Sequence, residues 1–108
     1  MANISFEEFT SNVTIMTVKE AAEALKGDEE YFNAPYVRMY PGFLYIEDYC
    51  VDGYVHKVSY TVDGKTTIKE TIGRYHLILG RNEWLSDDLN DLEYELYTFG
   101  KESGAFED

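Results

Sequence analysis

Five carboxylates near the C-terminus, Asp87, Asp88, Asp91, Glu95 and Glu102, recur at spacings that gather on one side of an α-helix if the helix continues far enough. Residues four apart rise about 6 Å, so Asp87, Asp91 and Glu95 hold charge at a pitch close to that of phosphates along one nucleic-acid strand. Such a line attracts cations and fits a basic groove built for DNA or RNA. Like charges at this spacing weaken a helix, and few lysines offset them here, so solubility alone accounts poorly for the pattern. Asp28, Glu29 and Glu30 form a second acidic patch.

Groups suited to catalysis are sparse. His56 and His76 fall on one predicted sheet face across Thr71, but Glu47, the nearest carboxylate on that face, is not adjacent in the predicted register, and both histidines read as surface groups. The chain has no H-E-x-x-H, G-x-S-x-G, Walker A or G-x-G-x-x-G motif. Asp87-Asp88-Leu89-Asn90-Asp91 lacks the loop glycine and the distant glutamate of a calcium-binding loop. Cys50 is the only cysteine, which rules out an internal disulfide and a cysteine-based metal site; it is expected on the core face and inert. The expectation is a protein that is not an enzyme and that carries no metal or cofactor.

The charge map is uneven. The 108 residues carry a net charge of −12. Residues 1–35 hold seven acids and two lysines, residues 36–82 five acids and six bases, and residues 83–108 nine acids and Lys101. A surface of this sign repels nucleic acid and anionic lipid and steers basic partners toward it. At 44% hydrophobic with ten tyrosines, the chain is too apolar for a disordered acidic tail, and its length suits one domain, 1–108. It has no run of 18 apolar residues and no basic-then-apolar N-terminal order, so a cytoplasmic protein that is not exported is expected.

Two capping boxes, Ser5-Phe6-Glu7-Glu8 and Thr17-Val18-Lys19-Glu20, offer helix starts in the first region. The second opens a strong helix former that runs to Leu25 and stops at Gly27. Val13 to Met16 before it is a short strand or an extended approach to the cap. In the middle, Asp52-Gly53 and Asp63-Gly64 suit type I′ hairpins, with Pro41-Gly42 and Gly73-Arg74 as weaker turns. The strands fall at about 36–40, 43–51, 54–62, 65–72 and 75–79. This register sets Lys57 between Asp48 and Glu70 and puts Val37, Met39, Leu44, Ile46, Leu77 and Leu79 on one core face. Tyr45, Tyr49, Tyr54 and Tyr60 then share the other face, as exposed cross-strand stabilisers or as a binding surface. A last helix, capped by Ser86 and running to about Phe99 before Gly100, docks through Leu89, Leu92, Leu96 and Phe99. The fold class is α+β: a single antiparallel meander of about five strands, with N- and C-terminal helices packed on one face.

Thr17 to Leu25 resembles the first helix of excisionase- and MerR-type helix-turn-helix domains. That resemblance implies a basic recognition helix next, but Asp28-Glu29-Glu30 follows Gly27 and would turn negative charge toward phosphate. Direct nucleic-acid binding and membrane binding are therefore not expected. In size, charge and lack of catalytic motifs the chain is similar to phage and mobile-element counter-defence proteins, such as anti-CRISPR and anti-restriction proteins. That likeness implies a small acidic inhibitor that blocks a basic nucleic-acid-binding protein or nuclease complex, partly by mimicking the phosphate backbone. Two alternatives stand beside it: an immunity or antitoxin protein neutralising a basic nuclease, as barstar-like proteins do, and a phage structural or adaptor protein that self-associates through its tyrosines.

Overall fold

The computed structural model describes residues 4–49 and 55–106, with side chains defined outside 55–60 and 68–72. Both expected helix starts are present. Ser5 accepts from the Glu8 amide at 3.1 Å and opens α1 (Phe6–Ser11). Thr17 and Glu20 form a full capping box at the start of α2 (Val18–Leu25), and β1 (Thr14–Thr17) leads into it. Then come a 3-10 turn at Glu29–Tyr31, β2 (Tyr36–Tyr40), β3 (Leu44–Asp48), β4 (Val55–Val62), β5 (Lys65–Ile72), β6 (Tyr75–Leu79), β7 (Asn82–Ser86) and α3 (Leu89–Ser103).

The protein is α+β, with a five-stranded antiparallel sheet and helices from both ends packed against it. The strand order is β1-β2-β3-β6-β7, while β4 and β5 pair only with each other. Two of the predicted meander strands thus leave the sheet as a separate hairpin, and β1 and β7 take their places. Asp63 and Gly64, both at positive φ, close that hairpin as a type I′ turn, and Lys57 lies opposite Glu70 as expected. In the sheet register Asp48 pairs with Tyr36 and Tyr75 and not with Lys57. The predicted Asp52-Gly53 turn and Cys50 lie outside the described residues.

One loop decides which side chains share a face. Between β2 and β3 the turn takes three residues, Pro41 to Phe43, with Gly42 and Phe43 both left-handed, so Tyr40 pairs with Leu44. The expected two-residue turn paired Tyr40 with Phe43. A slip of one residue exchanges the faces of a strand. Tyr40, Leu44 and Ile46 therefore join Leu77 under α1 and α3, while Val37, Met39 and Tyr45 turn to the opposite face and pack with Ala21 of α2. The terminal helices α1 and α3 share one face, as expected, and α2 covers the other. Phe9 stacks on Tyr40 at 4.7 Å, and Tyr97 donates its hydroxyl to the Ile4 carbonyl at 2.7 Å, which fastens the N-terminus to α3.

Helix α3 runs past Gly100, the expected stop. A Cβ there would lie 2.5 Å from Phe106 and 2.7 Å from Leu44, so this glycine serves close approach inside the helix. The helix ends at Gly104 in the left-handed conformation, where the Gly104 and Ala105 amides close back on Lys101 and Gly100. Among the described residues no helix is long and apolar enough to cross a membrane.

Candidate functional site

The length of α3 decides how its acids are displayed. Asp88 is the N-cap and accepts from the Asp91 amide at 3.4 Å, while Ser86, the expected cap, accepts from the Asp88 amide at 2.9 Å. Asp87 precedes the helix, and its carboxylate accepts from the Arg74 amide at 2.9 Å. Asp87 therefore fixes the entry to β6 and does not continue the acidic line. Asp91, Glu95 and Glu102 remain, all exposed and at helical spacing on one side of α3. Among the described residues none of the three has a cationic partner. Lys101, the only base after Arg81, lies over the Tyr97 ring at 4.7 Å. Thr98 interrupts the charge pitch, so the spacing is about 6 Å from Asp91 to Glu95 and about 10 Å from Glu95 to Glu102.

Beside this line the surface is concave. A cleft of about 280 Å³ lies between α3 and the β6–β7 hairpin, with Leu79, Trp84 and Phe99 as apolar lining and Asn82, Glu95 and Glu102 as polar lining. Leu92 and Leu96 dock on the sheet as expected, and Leu89 is partly buried. Phe99 does not dock: it stays 40% exposed, because Tyr97 and Gly100 supply the packing contacts of that turn. Trp84 was missed with its strand. Its signal was the alternation in Asn82 to Ser86 after the Gly80-Arg81 turn, which gives a hairpin with β6.

The remaining predicted residues do not join this surface. Asp28, Glu29 and Glu30 are exposed on the 3-10 turn that packs against α2, across the sheet from α3, so the two acidic patches do not merge. Among the described residues Tyr45 and Tyr49 do not share one exposed face. Tyr49 is 1% exposed and Tyr45 packs against Phe32 at 5.2 Å between ring centroids. Tyr54 lies outside the described residues, and Tyr60 belongs to β4 of the separate hairpin, its side chain outside the described set.

Two buried polar clusters pin the strands that carry the cleft. His76 is 1% exposed and is no surface histidine. Its Nδ1 is 2.7 Å from Glu47 Oε1 and its Nε2 is 2.5 Å from Glu83 Oε1. Glu47, expected to be out of reach, is the register partner of His76 because β3 pairs directly with β6; its other oxygen accepts from the Asn33 amide. His56 is on β4, which pairs with β5 and not with the β6 strand of His76. Burial pulls the His76 pKa down, but the hydrogen bonds and charges of Glu47 and Glu83 overcome it and leave it above 6.5. When protonated, the ring donates from both nitrogens and holds no lone pair for a metal or a substrate proton. On the other face, Asp48 accepts from Arg38 Nε at 3.2 Å and Arg74 Nε at 2.9 Å, and both guanidinium groups lie over Tyr75.

One further carboxylate of α3 faces inward. Glu93 accepts the Tyr40 hydroxyl at 2.7 Å, and burial together with this bond holds the phenol protonated well above its ordinary range. The sequence distributes α3 into a packed side with Leu92, Glu93, Leu96 and Tyr97, and an open side with Asp91, Glu95 and Glu102. That open side can attract and hold cationic groups, and the cleft supplies apolar contact next to them. Comparison with known protein families, curated proteins and solved structures gives no match for this chain.

Proposed function

We propose that this protein acts by binding: it is a small acidic inhibitor that occupies the basic surface of a nucleic-acid-binding protein or nuclease complex. The observation that supports this best is the exposed line Asp91, Glu95 and Glu102, without cationic partners, beside a cleft that presents Trp84 and Phe99. Charge steers the encounter and the aromatic cleft supplies contact area, the usual division between rate and affinity at an interface. The charge pitch matches phosphate spacing for one step only, from Asp91 to Glu95, so mimicry of a nucleic-acid backbone is local. Occupation of a groove by a shaped acidic helix carries the rest. The setting that fits is the cytoplasm of a host cell, with the protein serving phage or mobile-element counter-defence.

The cleft also favours a second reading, an immunity protein in which one basic side chain of a nuclease enters it. Both readings require that partner and nucleic acid compete. Immobilised protein exposed to bacterial lysate, washed and eluted by salt, should release a basic nucleic-acid-binding protein. In a mobility-shift assay the added inhibitor should displace nucleic acid from that protein. A partner that binds nucleic acid and this chain at the same time contradicts both readings. Capture of one cognate nuclease, whose activity is lost as its substrate is displaced, would favour the immunity reading.

A further inference from the structure

We infer that the cleft between α3 and the β6–β7 hairpin is a pocket for one arginine side chain of the partner. The inference rests on the inhibitor reading for the source of that arginine and adds the chemistry of recognition.

The cavity, at about 280 Å³, falls just under the roughly 300–1,000 Å³ of pockets that take drug-sized ligands. It has room for one side chain. Its lining sets the chemistry. Leu79, Trp84 and Phe99 offer apolar and aromatic surface, while Glu95 and Glu102 stand two helical turns apart on the same side of α3. An anionic group entering here meets two carboxylates. A purely apolar group fills the lining but strips water from those carboxylates without pairing them, which is unfavourable. A lysine ammonium neutralises charge but is compact and strongly hydrated. A guanidinium stacks flat on an indole or phenyl ring while its edge donates to carboxylate oxygens, and it is weakly hydrated. Arginine alone satisfies both halves of the lining.

Trp84 is the only tryptophan of the chain and it lines the cleft, so its fluorescence reads occupancy directly. The protein would be titrated with three short capped peptides, identical and neutral except for a central arginine, lysine or citrulline. The arginine peptide should shift Trp84 emission saturably and bind about 5-fold tighter than the lysine peptide. The citrulline peptide, planar but uncharged, should not saturate. Glu95→Gln/Glu102→Gln should remove the arginine response while leaving the urea midpoint unchanged, which shows that the fold persists. Equal responses to lysine and arginine, saturation by citrulline, or an arginine response that survives the double substitution would each overturn the proposal. The titration uses no partner, so an unresponsive cleft beside continued capture of a basic protein sinks this pocket and spares the inhibitor reading. A responsive cleft in a chain that captures nothing does the reverse.

Discussion

Replacing His76 by glutamine should remove a large share of the protein's stability, and should do so in a pH-dependent way. His76 is buried and lies between Glu47 at 2.7 Å and Glu83 at 2.5 Å. Glu47 is 2% exposed, so glutamine at position 76 strands a buried carboxylate whose remaining polar contact is the Asn33 amide. Breaking a buried pair from one side costs about 3–5 kcal/mol, and the Glu83 contact adds less because its side chain is 34% exposed and screened. Against the roughly 5–15 kcal/mol that holds an ordinary domain, a loss near 3 kcal/mol lowers Tm by more than about 10 °C in a chain of this size.

The pH dependence follows from the direction of the shift. The folded-state pKa of His76 is raised above 6.5, so the folded protein binds the proton more tightly than the unfolded chain. Its contribution is fully present below about pH 6.5 and is lost as pH rises through the raised folded value. Urea unfolding of wild type and His76→Gln at several pH values between 6 and 9 is the assay. The difference between the two proteins cancels what other groups contribute in this range. It should be largest at the acidic end and shrink toward pH 9. A difference that stays constant across the range, or one below about 1 kcal/mol at pH 6, would refute the charged-imidazolium account.

The other predictions separate packing from binding. Asp87→Asn should lower the urea midpoint slightly, because the bond to the Arg74 amide weakens, yet leave partner capture unchanged; Glu95→Gln should do the opposite. Tyr40→Phe keeps the stack on Phe9 but strands Glu93, and should cost about 1–3 kcal/mol in equilibrium unfolding. Gly100→Val forces side-chain carbons into Phe106 and Leu44 and should destabilise by at least about 1–3 kcal/mol, read as a lower Tm.

The helices were legible because their signals are local: Thr17 and Glu20 sit at capping-box spacing, and Leu89, Leu92 and Leu96 repeat every three to four residues. The sheet was half legible for the complementary reason. Its antiparallel character and the Asp63-Gly64 turn follow from local chemistry, but face assignment hangs on whether Phe43 belongs to the turn or to the strand. Phe43 adopts φ 60°, a conformation that nothing in its residue type announces. That one residue sends Tyr45 beneath α2. The pairing of β3 with β6 across the β4–β5 hairpin is long-range, and so was the meeting of Glu47 with His76. The acids of α3 were found from spacing alone, but the cleft beside them depends on β7, whose pattern is only five residues long.

The most direct test of the account is capture from lysate by three immobilised proteins: wild type, Asp91→Asn/Glu95→Gln/Glu102→Gln, and Asp28→Asn/Glu29→Gln/Glu30→Gln. The two acidic patches lie across the sheet from each other, and each substitution set removes three charges. The basic nucleic-acid-binding protein held by wild type should be lost with the α3 substitutions and kept with those on the 3-10 turn. Retention by the α3 variant and loss by the other would contradict the account.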